Sequence, residues 1–157
     1  MLDNAAIARV FGQIADLLEI KGANPFKIRA YRNAADIVAT TPEPIADFSD
    51  EDLLEIPGIG KDLAAKTREL AEHGRLAYHD ELLREFPPTL LELLELPGLG
   101  PKTVTRLYHE LGVASLDELE AAARAGRIRT LPGLGEKREE LVLRAITRRR
   151  TSGSSTA

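Results

Sequence analysis

The stretch LELPGLGPKTV, residues 94–104, places a Pro-Gly-Leu-Gly turn between a leucine-rich segment and a segment that opens with proline and lysine. Two further stretches repeat the pattern, EIPGIGKDL at 55–63 and TLPGLGEKR at 130–138. The three prolines of these turns are separated by 40 and 35 residues. A single Pro-Gly pair marks an ordinary turn, but three copies with one internal spacing predict a repeated unit in which a tight turn joins two helices.

The glycines and lysines of these turns predict a phosphate-binding site. Glycine permits backbone conformations and close approaches that other residues forbid. The second glycine stands where a helix is predicted to begin, and free amides with the helix dipole favour an anion there. Such a contact reads no base edges, so we expect DNA binding without sequence preference. The predicted contacts are Gly58, Gly60, Lys61, Gly98, Gly100, Lys102, Gly133, Gly135 and Lys137.

The remaining pattern predicts an all-α protein made of compact helical domains. Apolar residues recur at helical spacing, and no alternating strand pattern is present. The predicted helices cover residues 7–22, 25–40, 49–55, 60–72, 79–86, 88–95, 101–111, 115–125 and 136–149. We expect one domain at 1–80 with the first turn, a second at 81–150 with the other two turns, and a flexible tail at 151–157.

Composition limits the other classes of function. The chain has no cysteine, which excludes disulfides and thiolate metal sites, and its three histidines lack metal-ligand spacing. It has no apolar run of the ~20 residues that a membrane span needs, so we expect a cytoplasmic protein without a membrane partner. The net charge is −4, which argues against a general polyanion binder. From Arg124 onward, however, the balance is +6, and Lys21, Lys27, Arg29 and Arg32 form a second basic group.

These residues resemble a known family. LEIPGIGKDLAAK and LELPGLGPKTV resemble the helix-hairpin-helix motif of DNA repair proteins. The run IADLLEIKGANPFKIRAYRNAADIVATTPEPI and the later ELAEHGRLAYHDELL resemble the N-terminal part of family X DNA polymerases, the polymerase beta type that bacteria also have. The resemblance covers residues 4–147 and implies a lyase-like domain followed by a duplex-binding region. The polymerase carboxylates of the family lie in a later palm domain, so we expect no polymerase activity here.

The resemblance also implies a lyase site at Lys66. In the family a lysine at this position attacks the sugar aldehyde of an abasic site, and Lys27 and Tyr31 match positions that hold the 5′-phosphate. Helical spacing places Lys66 at the edge of a buried stripe, where partial burial and nearby cations lower the pKa of an amine. The chain departs from eukaryotic members, with Leu54, Asp62 and Tyr78 in place of lysines and Phe26 in place of a histidine. The alternative is a lysine that extends its amine to water along a helix edge.

The family implies an ion but no other cofactor. Its hairpins hold sodium or potassium through backbone carbonyls, which here match Leu54, Ile56, Ile59, Leu94, Leu96 and Leu99. Three functions follow from the sequence: a DNA-binding module of repair, a deoxyribose-phosphate or abasic-site lyase, and a protein-interaction scaffold in which the hairpins only pack helices. The expected partners are duplex, gapped or abasic DNA and a repair protein, at the nucleoid.

Overall fold

The computed structural model describes residues 2–155, and every regular element in this range is helical. Since the described residues form no strand, the all-α prediction is confirmed. Two short 3-10 turns, Ile45–Asp47 and Ile128–Thr130, accompany the α-helices. The helices are α1 (Asn4–Lys21), α2 (Pro25–Thr40), α3 (Asp50–Glu55), α4 (Lys61–His73), α5 (Ala77–Arg84), α6 (Leu90–Leu94), α7 (Pro101–Leu111), α8 (Leu116–Arg124) and α9 (Glu136–Ser155).

Several helices begin at a side chain that caps their first turn. The Asn24 side chain accepts a hydrogen bond from the Phe26 amide at 2.8 Å, directly before α2. At the start of α8, the Ser115 hydroxyl accepts from the Glu118 amide at 3.1 Å, and the Glu118 carboxylate accepts from the Ala114 amide at 2.9 Å. The Phe26 and Glu118 amides are among those that a helix leaves without partners in its first turn, and the Ala114 bond ties the chain before the cap to the same turn. Local side chains therefore define where α2 and α8 begin.

The first compact unit, Met1–Glu85, is built around the pairing of α1 with α2. The ring of Phe11 in α1 lies 6.0 Å from the ring of Tyr31 in α2, measured between centroids. Both residues are buried, as apolar side chains at helical spacing predict. Other buried members of this core are Ile7, Ile14, Leu17, Leu18, Val38, Leu53 and Leu70. This packing holds α2 and α4 in place. These two helices carry the predicted site residues Lys27, Tyr31 and Lys66.

The second compact unit, Phe86–Ala157, has its own apolar core, in which α8 packs against α9. Its buried side chains come from every helix between α6 and α9: Leu90, Leu93, Val104, Leu107, Leu119, Ala122, Val142 and Ile146. The second and third turns of the sequence repeat both lie in this unit, and the first lies in the other unit.

The structure differs from the expected limits in two places. The units divide between Glu85 and Phe86, against an expected boundary at residue 80, because α5 packs on α1 and His79 is hydrogen-bonded to Gln13 at 2.8 Å. The expected flexible tail at 151–157 begins as helix, since α9 continues through Ser155, and residues 156 and 157 lie outside the described range. Extending an existing helix requires no new nucleus, so weak helix formers can continue it.

Candidate nucleic-acid interface

The three hairpins share one backbone conformation. In each, the apolar residue between the glycines donates its amide to the carbonyl three residues earlier: Ile59 to Ile56 at 3.0 Å, Leu99 to Leu96 at 3.2 Å and Leu134 to Leu131 at 3.1 Å. The side chains of these apolar residues are buried, which ties each turn to its helical unit. The repeat in the sequence is therefore a repeat in structure.

The first glycine of each hairpin is required by the turn itself. Gly58, Gly98 and Gly133 have φ angles of 97°, 84° and 83°, a region that residues with a Cβ rarely adopt. At Gly58 a Cβ would also lie 2.6 Å from the Cδ1 atom of Ile37. These three glycines are explained by the fold alone.

The second glycine of each hairpin is not required by the fold. Gly60 and Gly100 have φ angles of −89° and −84°, which any residue can adopt, and the φ of Gly135 is not positive either. A Cβ placed on any of the three would meet no protein atom within 4 Å. Internal packing and backbone strain thus leave the absence of a side chain unexplained, whereas a ligand that approaches the backbone closely would explain it.

Unfilled amides lie directly beyond the second glycine. Gly60 and Gly100 cap α4 and α7 with no side-chain hydrogen bond, unlike Ser115 at α8. The amides in the first turn of such a helix, together with its dipole, favour a bound anion. The second hairpin offers one amide fewer than the first, since Pro101 has none. The predicted lysines Lys61, Lys102 and Lys137 are exposed, and none forms an ion pair with a described residue.

The third hairpin has acidic residues beside its helix start. Glu136, the first residue of α9, is paired with Arg129 at 3.2 Å. The buried Glu139 accepts hydrogen bonds from the Arg129 backbone amide and from its guanidinium, both at 2.8 Å. Hydrogen bonding from Arg129 lowers the pKa of Glu139 from its usual range, against the opposing effect of burial. This hairpin therefore offers a less positive site than the other two.

A second group of predicted residues meets around Tyr78 in the first unit. The Lys27 and Lys66 amines lie 4.9 and 5.3 Å from the centroid of the Tyr78 ring, within the range of cation–π attraction. The ring of Tyr31 stacks on the same ring, with centroids 5.9 Å apart and planes 18° from parallel. The structure thus brings together Lys27, Tyr31 and Lys66, which the resemblance assigns to one site. Tyr78 joins them, although it follows Tyr31 by 47 residues.

The surroundings of Lys66 differ from the expected cluster of cations. Its side chain is 19% exposed, and its amine donates a hydrogen bond to the Asp62 carboxylate at 2.6 Å. Tyr31 is buried, and its hydroxyl has no hydrogen-bond partner among the described residues. Burial is the main cause that raises the pKa of Tyr31, so its hydroxyl keeps its proton and remains a donor. An unpaired buried donor in the same cluster as two amines suits an anionic ligand.

Ion pairs with carboxylates neutralise some of the side chains in each of the two basic segments. Lys21 pairs with Glu85 at 2.8 Å, and Arg32 pairs with Asp16 at 2.8 Å. Near the end of α9, Arg149 pairs with Glu95 at 2.6 Å, and Arg150 pairs with Asp117 and Glu120. The unpaired remainder among the described residues includes Lys27 and Arg29 in α2, and Arg144 and Arg148 in α9. The net charge of a segment therefore overstates the charge that it can offer to DNA.

Other sites are not found in the described range. Residues 2–155 contain no group of three or more histidine, cysteine or acidic side chains that could hold a metal ion. No described helix combines the length and the apolar character required to cross a membrane.

Two family models match the chain, one for each unit. Residues 2–76 match the model described as a helix-hairpin-helix domain, and residues 90–148 match a SAM-like helix-hairpin-helix tandem. These assignments agree with the repeated backbone of the three hairpins.

Three similar proteins have names that describe an action on DNA. The DNA polymerase/3′-5′ exonuclease PolX of Bacillus subtilis (strain 168) is 36% identical over 140 residues, which are 89% of this chain and 24% of that protein. DNA polymerase lambda of Rattus norvegicus is 26% identical over 121 residues, 76% of this chain and 20% of that protein. The Holliday junction branch migration complex subunit RuvA of Acidovorax sp. (strain JS42) is 29% identical over 89 residues, 56% of this chain and 46% of that protein. The chain thus spans less than half the length of each.

Proposed function

The chain belongs with the helix-hairpin-helix regions of X-family DNA polymerases, and on that premise we propose that it binds the DNA backbone without sequence preference, in repair or recombination. The hairpin amides and the neighbouring lysines contact phosphate groups. Contacts of this kind set position and affinity but carry no base information. DNA is the partner that this chemistry requires.

The observation that carries the proposal is the second glycine of each hairpin. Gly60 and Gly100 lie in backbone that any residue can adopt, and a Cβ on either would point into open space. A phosphate bound at the helix start would occupy that space. A protein-interaction scaffold in which hairpins only pack helices has no use for these two glycines, whereas it would still need Gly58 and Gly98.

The test is the double variant Gly60→Asn/Gly100→Asn. Asparagine is a good helix N-cap, so the fold should persist, but its side chain fills the approach to the amides. We expect affinity for duplex DNA to fall roughly tenfold or more, and equally for unrelated sequences. Fluorescence anisotropy measures the binding, and thermal unfolding by circular dichroism checks the fold. A folded variant that binds like the parent would overturn the proposal.

A second function, an abasic-site lyase at Lys66, is favoured by the cluster around Tyr78. The neutral amine of Lys66 adds to the C1′ aldehyde of the ring-opened sugar, and water leaves as the protonated imine forms. Loss of a proton from C2′ then breaks the bond between C3′ and its phosphate oxygen, which departs with the electron pair. Hydrolysis of the imine restores the lysine. Lys27 and Tyr31 would hold the flanking phosphate, and the Asp62 carboxylate is a proton acceptor in contact with the amine.

Borohydride trapping on abasic-site DNA tests the lyase directly. Reduction of the imine should link the parent protein covalently to DNA, and Lys66→Ala should abolish the product while DNA binding persists. The matched control is Lys21→Ala, which removes a lysine of the same unit that is paired with Glu85 and should keep trapping. If the DNA-bound parent gives no adduct, the chain has no lyase activity; if Lys66→Ala still gives one, the nucleophile is another amine.

An ion at the hairpins is part of the same proposal. Leu54 and Leu94 lie in the last turns of α3 and α6, where helix carbonyls lack intrahelical partners. The carbonyls of Ile56 and Leu96 each accept one hydrogen bond, which leaves a second lone pair on each oxygen. With Ile59 and Leu99, these oxygens suit a sodium or potassium ion, which would supply positive charge beside the phosphate. Replacing potassium by tetramethylammonium at constant ionic strength should weaken DNA binding.

The remaining expectations concern partners and location. A repair protein as partner is supported by the relatives, one of which is by name a subunit of a DNA-processing complex. Binding to DNA would place the chain at the nucleoid. Co-purification with and without nuclease treatment would separate a protein partner from proteins that share the same DNA.

A further inference from the structure

One face of α9 forms an open groove that the hairpin motif does not include. The groove has a volume of about 510 Å³ and is lined by Leu143, Arg144, Thr147, Arg148 and Thr151. Arg144 and Arg148 are both exposed and are separated by one helical turn, a rise of about 6 Å. Two arginines with two threonine hydroxyls are side chains that contact phosphate groups in protein–DNA complexes.

The arginines of α9 divide into two kinds. Arg149 and Arg150 are held in ion pairs with acidic residues of α6 and α8 or their ends, whereas Arg144 and Arg148 form no ion pair within residues 2–155. An arginine that is already paired with a carboxylate must lose that partner before it can bind a phosphate. On this face of α9, Arg144 and Arg148 therefore offer positive charge that no described carboxylate compensates, as does Arg138 near the start of the helix.

The groove shares a lining residue with a cavity beside the second hairpin. Arg148 also lines a cavity of about 240 Å³ whose wall includes Leu96 and Pro97, the residues that open that hairpin. One side chain therefore lies at the border of both features. Two acids oppose this charge. Glu140 is exposed, forms no ion pair in the described range and precedes Arg144 by one turn. Glu95 lines the same cavity as Arg148 and is paired with Arg149.

We propose that the α9 groove is a second DNA contact, in which the strand held at the second hairpin continues past Arg148 to Arg144. This inference rests on the proposed DNA binding and adds a site outside the hairpins. The occupant is a sugar–phosphate backbone, because the groove presents positive charge and hydroxyls, and Leu143 is its one large apolar side chain. The contact should not depend on base sequence, because the arginines bind phosphate groups and not base edges.

The experiment compares two double variants of the same helix with the same change in charge. Arg144→Ala/Arg148→Ala removes the two unpaired arginines of the groove, and Arg149→Ala/Arg150→Ala removes the two paired arginines that follow them. Binding of the full chain to a labelled duplex is measured by anisotropy from ~20 to ~200 mM salt, because each phosphate contact contributes about 0.9 to the slope of log affinity against log salt. The first variant should lower the magnitude of the slope by about 2 and the affinity at 0.1 M salt between about tenfold and a hundredfold.

The second variant should change the slope by less than about 0.5, since its arginines make no phosphate contact. Equal losses in both variants would show that only net charge matters and would overturn the α9 contact. An unchanged slope in the first variant would overturn it as well, whatever else the groove binds. A parent that binds no DNA at low salt would instead remove the proposed function and this inference together. Thermal unfolding of both variants verifies that the comparison is between folded proteins.

Discussion

The second and third hairpins have the same backbone but different charges where their helices begin. At the second, Pro101 and Lys102 follow the glycine, and the turn amides have no acidic neighbour in the first helical turn. At the third, Glu136 follows the glycine and is paired with Arg129, which also binds the buried Glu139. The turn hydrogen bonds are nearly equal, 3.2 and 3.1 Å. Glycine position and a buried leucine therefore determine the shape of a hairpin, whereas the first helical residues determine whether it offers an anion site.

The difference also assigns separate roles to two hairpins that lie in one unit. The second hairpin keeps its amides open and lies beside the unpaired Arg148. The third hairpin uses its helix start to bind its own chain, through Arg129 and the two glutamates. We expect the second to supply most of the DNA affinity of this unit and the third to supply mainly stability.

The largest expected effect comes from an acid placed at each second glycine. Gly100→Asp should lower DNA affinity about a hundredfold, since a carboxylate caps the helix well but repels phosphate and occupies the amides. Gly135→Asp should lower affinity less than about threefold, because Glu136 already places an acid there. Anisotropy with one duplex measures both. Equal losses would mean that the two hairpins bind DNA alike and that the comparison is wrong.

A smaller effect is expected when the buried acid of the third hairpin is removed. Glu139→Gln leaves the Arg129 guanidinium with the exposed Glu136 as its one remaining carboxylate partner among the described residues, so Tm should fall by about 5–10 °C at pH 7. The same change should leave DNA affinity close to that of the parent. A charge-matched control is Glu43→Gln in the first unit, where no side-chain partner of the acid is described. A loss of DNA affinity without a loss of Tm would contradict the structural role.

The pH dependence of that effect has a definite sign. Arg129 lowers the pKa of Glu139 in the folded chain, so the carboxylate is stabilising at pH values above its unfolded pKa. This stabilisation is lost as pH falls through the folded pKa, below the usual value of 4.5. The difference in Tm between the parent and Glu139→Gln should thus be constant from about pH 8 to pH 5 and shrink below that range. A difference that grows on acidification would reverse the assignment.

The smallest expected effect is a gain. Glu136→Gln removes an exposed acid from the start of α9 and frees part of Arg129, so the third hairpin should come to resemble the second. We expect DNA affinity to rise about two- to threefold at low salt and to return to the parental value as salt screens the charge. Glu43→Gln, with the same change in net charge, should leave affinity nearly unchanged. Equal gains in both would point to net charge rather than to the hairpin.

The parts of the fold that depend on neighbouring residues could be predicted from the sequence. Caps such as Asn24 and Ser115 act within three residues, and the turn glycines act on their own backbone, so their signals are local. The start of α5 was predicted two residues too late because the Ala77 amide is bound by the Glu69 carboxylate of another helix, at 2.8 Å. Nothing in the residues next to Ala77 indicates this contact in the sequence.

The candidate site was predictable only in part for the same reason. Lys27, Tyr31 and Lys66 were found through the family pattern, and the structure places them together. Tyr78 was interpreted as a missing lysine, since nothing in the spacing shows that two amines lie within about 5 Å of its ring. The ion pairs of Arg149 and Arg150 join residues 30 or more positions apart, so the charge balance of the segment could not distinguish them from Arg144 and Arg148.

The open amides at the start of α4 make amide hydrogen exchange a direct readout of the first hairpin. The first backbone bond into this helix is from the Ala64 amide to the Gly60 carbonyl at 2.8 Å, so the amides of residues 61–63 have no acceptor in the preceding turn. They should exchange quickly in the free chain, next to helix amides that exchange slowly. A bound phosphate would slow these few protons, whereas stabilisation of the whole unit would slow its core as well. Exchange at these amides thus reports whether a phosphate is bound at the start of α4, without any substitution in the chain.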